Sequence, residues 1–363
     1  MAIPGANCHS FWSFGAYAFY VDYDTLYQVT GPAEALDKAV VRTGLTPGLP
    51  VSYDIFGSDV FWSNGVVIER ISNGVSYPAL PVPRTSPSVV ADATGSFPGG
   101  LYQYAITYRS ADGEESGATY PEQITVPDGG RLVFSSFPVA PAGAAEILLY
   151  LSPTNGDLLY RVAALPTSVI NYMISLPALG GPQLRTMFLT PLPPGQILRV
   201  FNGRLLVASG GDIHYTDPYD FAHYNPVKNV VPFTERVTLM EPCQNGVYVS
   251  ADQTYWFRGT DFAKADPDPV HPYRAVEGTA GQIPNANSCY WFSERGVIIG
   301  DQQGQVKNVQ EEHVAVDPAT FGAGLFREQD GMKQIVTTLF NPSNSVAAAK
   351  SWMDAEVIRK ENL

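Results

Sequence analysis

Side chains able to do chemistry are few in this chain, and they are scattered. The five histidines, His9, His214, His223, His271 and His313, never fall at a metal-ligand spacing. Of these, His214 and His223 are close enough to meet across a loop, where solvated loop histidines are expected. Hydrolysis of a glycosidic bond would need two carboxylates facing one cavity, about 5–10 Å apart. The candidates are Asp54 with Asp59, Asp217 with Asp220, Asp266 with Asp268, and Glu311 with Glu312. Each pair lies in a turn or loop. Proline flanks Asp217, Asp266 and Asp268, which is turn chemistry. Asp22-Tyr23-Asp24 begins like a calcium loop but lacks the later Asp/Asn, the glycine and the distal Glu. No GxSxG, HExxH, P-loop or GxGxxG at a strand–helix junction occurs. The expectation is therefore no catalytic residue, no cofactor site and no metal site, and no enzymatic activity.

Cys8, Cys243 and Cys289 are odd in number, widely spaced and set beside apolar runs, so they are expected to be free buried thiols. Trp12, Trp62, Trp256 and Trp291 recur at similar places in repeated segments. They could line a sugar-binding face, but repeated core packing is the expected role.

The elements that would carry these residues are β-strands. Residues 198–217, LRVFNGRLLVASGGDIHYTD, read as strand, Asn202-Gly203 turn, strand, Gly210-Gly211 turn, strand. Asn-Gly between apolar runs is the strongest short hairpin signal, because a type I′ turn needs positive φ at both central residues. Related meanders appear near residues 8–30, 51–72, 240–258 and 289–309. One meander cannot bury its own apolar face, whereas radial packing of several does. The fold class expected is all-β: a β-propeller from N- and C-terminal segments, interrupted by an inserted sandwich and followed by a C-terminal helix. Two unrelated β-sandwiches are the alternative.

The domain limits expected are 1–82 for the first propeller part, 83–180 for the sandwich, 181–340 for the second propeller part and 341–363 for the helix. Pro-rich residues 78–88 and Pro/Gly-rich residues 177–196 are the connectors. PAEALDKAV, residues 32–40, reads as a helical turn or two. At the C-terminus, Val346, Ala349, Met353 and Val357 show helical spacing, and Lys350-Asp354 and Glu356-Lys360 are i,i+4 pairs of opposite charge.

The 363 residues carry 33 Gly, 30 Pro and a net charge of −13. That balance, with no Lys/Arg cluster, argues against gripping nucleic acid by its phosphates. It does not argue against a conduit through which DNA slides. No cationic leader and no apolar run of spanning length are evident, so no signal peptide and no membrane span are expected.

Within residues 89–176, the succession GLYQYAITYRSADGEES, EILLYLS, DLLYRVAAL resembles a fibronectin type III module, an immunoglobulin-like β-sandwich without a cysteine pair. FNGRLLVASGGDIHYTDPYDFAHYNP, followed by YVSADQTYWFRGTDF and the ending QIVTTL…MDAEVIRK, resembles bacteriophage tail proteins of the nozzle or DNA-stabilisation type. That resemblance implies a structural component of the virion tail, made in the host cytoplasm and assembled as a homo-oligomeric ring, with a hexamer among the options. Its implied partners are other tail, adaptor or portal proteins, with genomic DNA passing through without sequence-specific binding, during retention and ejection. The other reading is a receptor- or glycan-binding tail protein that uses propeller loops.

Overall fold

The computed structural model describes residues 5–31, 36–220, 222–310 and 319–340. Alternating apolar residues and tight turns produce strands almost throughout. Among the described residues the sole helical element is a short 3₁₀ turn, Phe262–Lys264. No described helix is long and apolar enough to cross a membrane.

In chain order, β1–β4 are Cys8–Phe14, Tyr17–Asp22, Thr25–Thr30 and Asp37–Arg42, and β5–β8 are Ser52–Phe56, Asp59–Ser63, Ile68–Ser72 and Val75–Tyr77. Next come β9 (Ser88–Phe97), β10 (Gly100–Ser110), β11 (Glu122–Val126), β12 (Gly130–Ser135), β13 (Ala144–Leu151), β14 (Tyr160–Pro166), β15 (Asn171–Ile174) and β16 (Thr190–Pro191). Then follow β17 (Ile197–Phe201), β18 (Arg204–Ser209), β19 (Asp212–Tyr215), β20 (His223–Tyr224) and β21 (Val230–Pro232). The last are β22–β25 (Leu239–Cys243, Gly246–Ser250, Thr254–Arg258, Pro267–His271), β26–β29 (Gly281–Ile283, Ser288–Ser293, Gly296–Gly300, Val306–Asn308), β30 (Phe321–Gln329) and β31 (Met332–Phe340).

The chain divides into two compact units. The first holds Met1–Ser76, Pro193–Tyr219 and Val230–Leu363; the second holds Tyr77–Leu192 and Asp220–Asn229. In the first unit, five four-stranded antiparallel sheets follow one another: β1–β4, β5–β8, β17-β18-β19-β21, β22–β25 and β26–β29. Each packs on its successor, with β1 against β5, β5 against β17, β17 against β22 and β22 against β27, and the β30–β31 hairpin packs beside β26. Successive four-stranded meanders, each packed on the next, are blades, and this unit is a β-propeller. Blades 1 to 5 are named in that order. Blades 1 and 2 lie before the second unit in sequence, and blades 3 to 5 after its main segment.

Turn chemistry fixes the strand register. Asn202 and Gly203 have φ of 44° and 76°, the type I′ pair, and Phe201 sits opposite Arg204. Residues 37–42 extend as β4, so they are strand rather than helical turn. Its pairing with β3 through Leu26↔Arg42 to Thr30↔Asp37 outweighs the weak helical propensity. The proposed C-terminal helix, 341–363, lies outside the described residues.

The second unit packs a three-stranded sheet, β15-β12-β9, on a four-stranded sheet, β11-β10-β13-β14. Phe97, Tyr102, Tyr104, Leu132, Phe134, Ile147 and Leu149 form its shared core. Proline-rich flanks adhere to it, with Leu80 in the core and the Leu184 amide donating to the Leu159 carbonyl at 2.8 Å. That is why this unit runs past the expected limits of 83–180. Residues 220–229 join it through β20, which pairs with β16.

Candidate functional site

Ionisable groups of the propeller converge where the leading strands of blades 2, 3 and 4 meet. On β17 the sequence Leu198-Arg199-Val200 places one guanidinium in an apolar strand. Arg199 donates from Nε to Glu241 Oε1 at 3.1 Å, and its Nη2 forms a second bond to the same oxygen. Glu241, on β22, is 2% exposed. From Nη1, Arg199 donates to Ser52 Oγ at 3.0 Å and to its neighbour's carbonyl, Leu198 O, at 2.8 Å. Ser52 Oγ accepts from the Leu198 amide at 3.0 Å, and Asp54 Oδ2 accepts from the Val200 amide at 2.6 Å. Asp54 Oδ1 also accepts from the Ile55 amide at 2.7 Å. Three blades are tied by one network drawn from residues far apart in sequence.

Burial dominates the electrostatics here. It works against the charged Arg199, but the Glu241 carboxylate and then Asp54 outweigh it and hold the guanidinium above its ordinary range. Burial raises the Asp54 carboxyl, and Arg199 and the two backbone amides only partly offset it. Across the next seam, Tyr290 is pushed up to about 12, first by burial and then by Glu241. An always-charged guanidinium bonded to Glu241 and Ser52 is a tie rather than a proton donor.

A pH prediction follows for Asp54. Its folded-state pKa lies above the unfolded value of about 3.9. The native state therefore binds the extra proton in the window above that value, and stability falls as pH rises through it. Asp54→Asn is expected to flatten that slope in urea titrations run at successive pH values; an unchanged slope contradicts the assignment.

A second cluster surrounds the Asn202-Gly203 turn. Arg204, 8% exposed, donates from Nη1 to the Thr216 carbonyl at 2.8 Å and from Nη2 to Asp261 Oδ1 at 3.0 Å. Asp217 Oδ1 lies 3.5 Å from Arg204 Nη1. The Tyr219 amide donates to the Gly203 carbonyl at 2.6 Å, and Tyr219 takes a φ of 64°, uncommon for a bulky side chain. Its ring meets Phe56 edge-on at 6.0 Å yet is 77% exposed.

Most of the carboxylates singled out from sequence have separate engagements. Asp54 serves the seam, and Asp59 lies 3.6 Å from Arg70. Asp217 belongs to the Arg204 cluster, and Asp268 lies 3.7 Å from Arg258. Asp220 Oδ1 accepts from the His223 amide at 3.4 Å within the other unit. Glu311 and Glu312 lie outside the described residues. Asp22 Oδ1 accepts from the Asn7 amide, and Asp24 Oδ1 accepts from the Thr25 hydroxyl. Among the described residues no group of three His, Cys, Asp or Glu could hold a metal.

His223 is buried rather than solvated; its Nε2 lies 2.8 Å from the Leu80 carbonyl, which anchors β20 in the second unit. Cys243 and Cys289 are buried free thiols, whereas Cys8 is exposed on β1, an edge strand of its sheet with more exposed than half-buried residues. Trp62, Trp256 and Trp291 are at most 1% exposed, so they are core and present no ring to a ligand. Arg199 and Glu241 escaped the sequence reading. The available signal was a single charge inside each apolar strand, Leu-Arg-Val-Phe and Leu-Met-Glu-Pro-Cys.

No family model matches the chain, and no curated protein matches it. Solved structures give distant likenesses. The computationally designed Ika8 protein is 11% identical with a TM-score of 0.32, over 91% of this chain and 92% of that one. BBS1N in complex with ARL6DN is 13% identical with a TM-score of 0.35, over 89% and 84%. Hsv2 of Kluyveromyces lactis is 7% identical with a TM-score of 0.29, over 89% and 86%. At these values the likenesses carry no argument about what this chain does; the propeller assignment stands on its own sheets.

Proposed function

We propose that the chain is a structural, non-enzymatic subunit of a bacteriophage tail, of the nozzle or head-to-tail channel type, assembled as a ring around the DNA path. The observation that carries this reading is the Ser52/Asp54–Arg199–Glu241 tie: the buried Glu241 and the partly buried Arg199 and Asp54 join blade to blade. Such a tie suits a stiff wall. A net charge of −13 suits a channel along which a polyanion must slide without adhering. Head-to-tail contacts closing into a ring are the natural assembly, with portal, adaptor or other tail proteins as neighbours. The sandwich is read as fibronectin type III-like decoration, supported by its four-plus-three strand division and its lack of a cysteine pair. The test is a side-chain-resolution reconstruction of the particle. The expected result is a ring of this chain on the tail axis; a peripheral appendage would overturn the proposal.

A second reading rests on Tyr219. An exposed ring on a constrained backbone, beside Asp217 and Asn202, is a platform on which a sugar ring could stack. Under that reading Tyr219→Ala abolishes binding to host-surface glycans while shifting stability by only about 0.5 kcal/mol or less. Equal glycan retention by both proteins, or none by either, removes this reading.

A further inference from the structure

The β30–β31 hairpin carries apolar side chains on both faces, and blade 5 covers only one of them. Nine cross-strand pairs run from Phe321↔Phe340 to Gln329↔Met332 around an Asp330-Gly331 turn with φ of 53° and 76°. Cross-strand partners share a face, so the two faces can be assigned from the register. Phe326, Ile335 and Leu339 point into the core with Val276, Ile283, Tyr290 and Phe292, and Ile335 is 1% exposed. The opposite face carries Phe321, Phe340, Ala323, Thr338, Leu325 and Val336 toward the open end, then the bonded pair Arg327 and Gln334, and Gln329 and Met332 at the turn. Of these, Leu325 is 59% exposed and Phe321 49%, and the Phe321 and Phe340 rings lie 4.7 Å apart.

A two-stranded ribbon with an uncovered apolar stripe is marginal by itself; it needs further strands or a helix against that face. Chain continuity supplies a candidate. Residues 341–363 leave the hairpin at Phe340, at one end of the stripe. Only five residues separate Phe340 from Val346, the first of the helically spaced apolar residues Val346, Ala349, Met353 and Val357, with Trp352 and Ile358 alongside. The apolar run of that face, from the Phe321/Phe340 pair to the Leu325/Val336 pair, spans four residue steps, about 14 Å. The eight steps from Ser345 to Met353 at helical rise span about 12 Å. Length and point of departure agree.

We propose that the outer face of the β30–β31 hairpin is the docking site of this chain's own C-terminal segment, with Trp352, Met353 and Val357 set against Leu325, Val336 and Met332. The inference is independent of the tail-ring proposal. It accounts for the stripe and for the apolar periodicity of the segment by one contact.

A charge-swap cycle in the full chain tests it. Leu325→Lys and Met353→Glu are made singly and together, and hydrogen exchange of the Met332–Phe340 amides is followed at low and high protein concentration. Each single change is expected to speed exchange about tenfold or more. The double variant is expected to recover much of the protection, equally at both concentrations. Additive effects, or a Met353→Glu variant with unchanged exchange, overturn the proposal. Recovery that fades on dilution assigns the segment to a second copy and overturns the own-chain contact.

Discussion

Glu241→Ala is expected to destabilise the propeller by about 3–5 kcal/mol, the range seen when one partner of a buried ion pair is removed. The loss comes mainly from what remains. Arg199 keeps its charge at any working pH, and without Glu241 its Nε and Nη2 lose their acceptor inside the seam. Ser52 and the Leu198 carbonyl still engage Nη1, so the strand is not released outright. Pairing the change with Arg199→Met removes the stranded charge, and the double variant is expected to regain most of the loss, since apolar replacement of a buried pair is often neutral. Arg236–Glu277 is the internal control. Its guanidinium side chain is 52% exposed, and Glu277→Ala is expected to cost less than about 1 kcal/mol. Urea titrations of the variants check all of this; equal small effects at Glu241 and Glu277 would show that the seam is not a tie.

Trp291→Ala is expected to cost about 3–5 kcal/mol by leaving a cavity between blades 4 and 5. Trp291 is fully buried, 5.3 Å from the Tyr248 ring, which also lies 4.4 Å from the Trp256 ring, both pairs tilted by about 45°. Tyr248 also donates to the Asp301 carbonyl at 2.7 Å, so the aromatic cluster is oriented by a hydrogen bond from one blade to the next. Collapse is hindered here: a β-carbon on Gly300 would already press on Tyr248 and Trp291. The same experiment separates the two roles weighed for the tryptophans. A core residue loses stability on truncation, whereas a sugar platform would lose affinity and keep its melting temperature. Thermal unfolding of the variant decides between them.

Inner strands announced themselves in the sequence because burial leaves a pattern. Leu205, Leu206 and Val207 form an apolar run bounded by Asn-Gly and Gly-Gly, and all three are fully buried. The fourth strands of blades 1 to 4 did not, because they are edges facing solvent. Asp37–Arg42 is almost wholly exposed, and Pro267–His271 holds two prolines, which only an edge strand tolerates. The seam was illegible for another reason. Arg199 and Glu241 stand 42 residues apart, and Ser52 lies 147 residues before Arg199. No local spacing encodes such a meeting; it exists only once blades 2, 3 and 4 are stacked. Asp54 was noticed as one half of a possible carboxylate pair, and its partners proved to be backbone amides and a guanidinium.

Native-state hydrogen exchange in rising denaturant most directly tests whether the blades on either side of the sandwich make one structure. One shared opening free energy is expected for the amides of β5–β7 and of β17–β19 with β21–β27, with both groups losing protection together in Glu241→Ala. Separate opening energies for the two groups, or a Glu241→Ala effect confined to β22–β25, would contradict it.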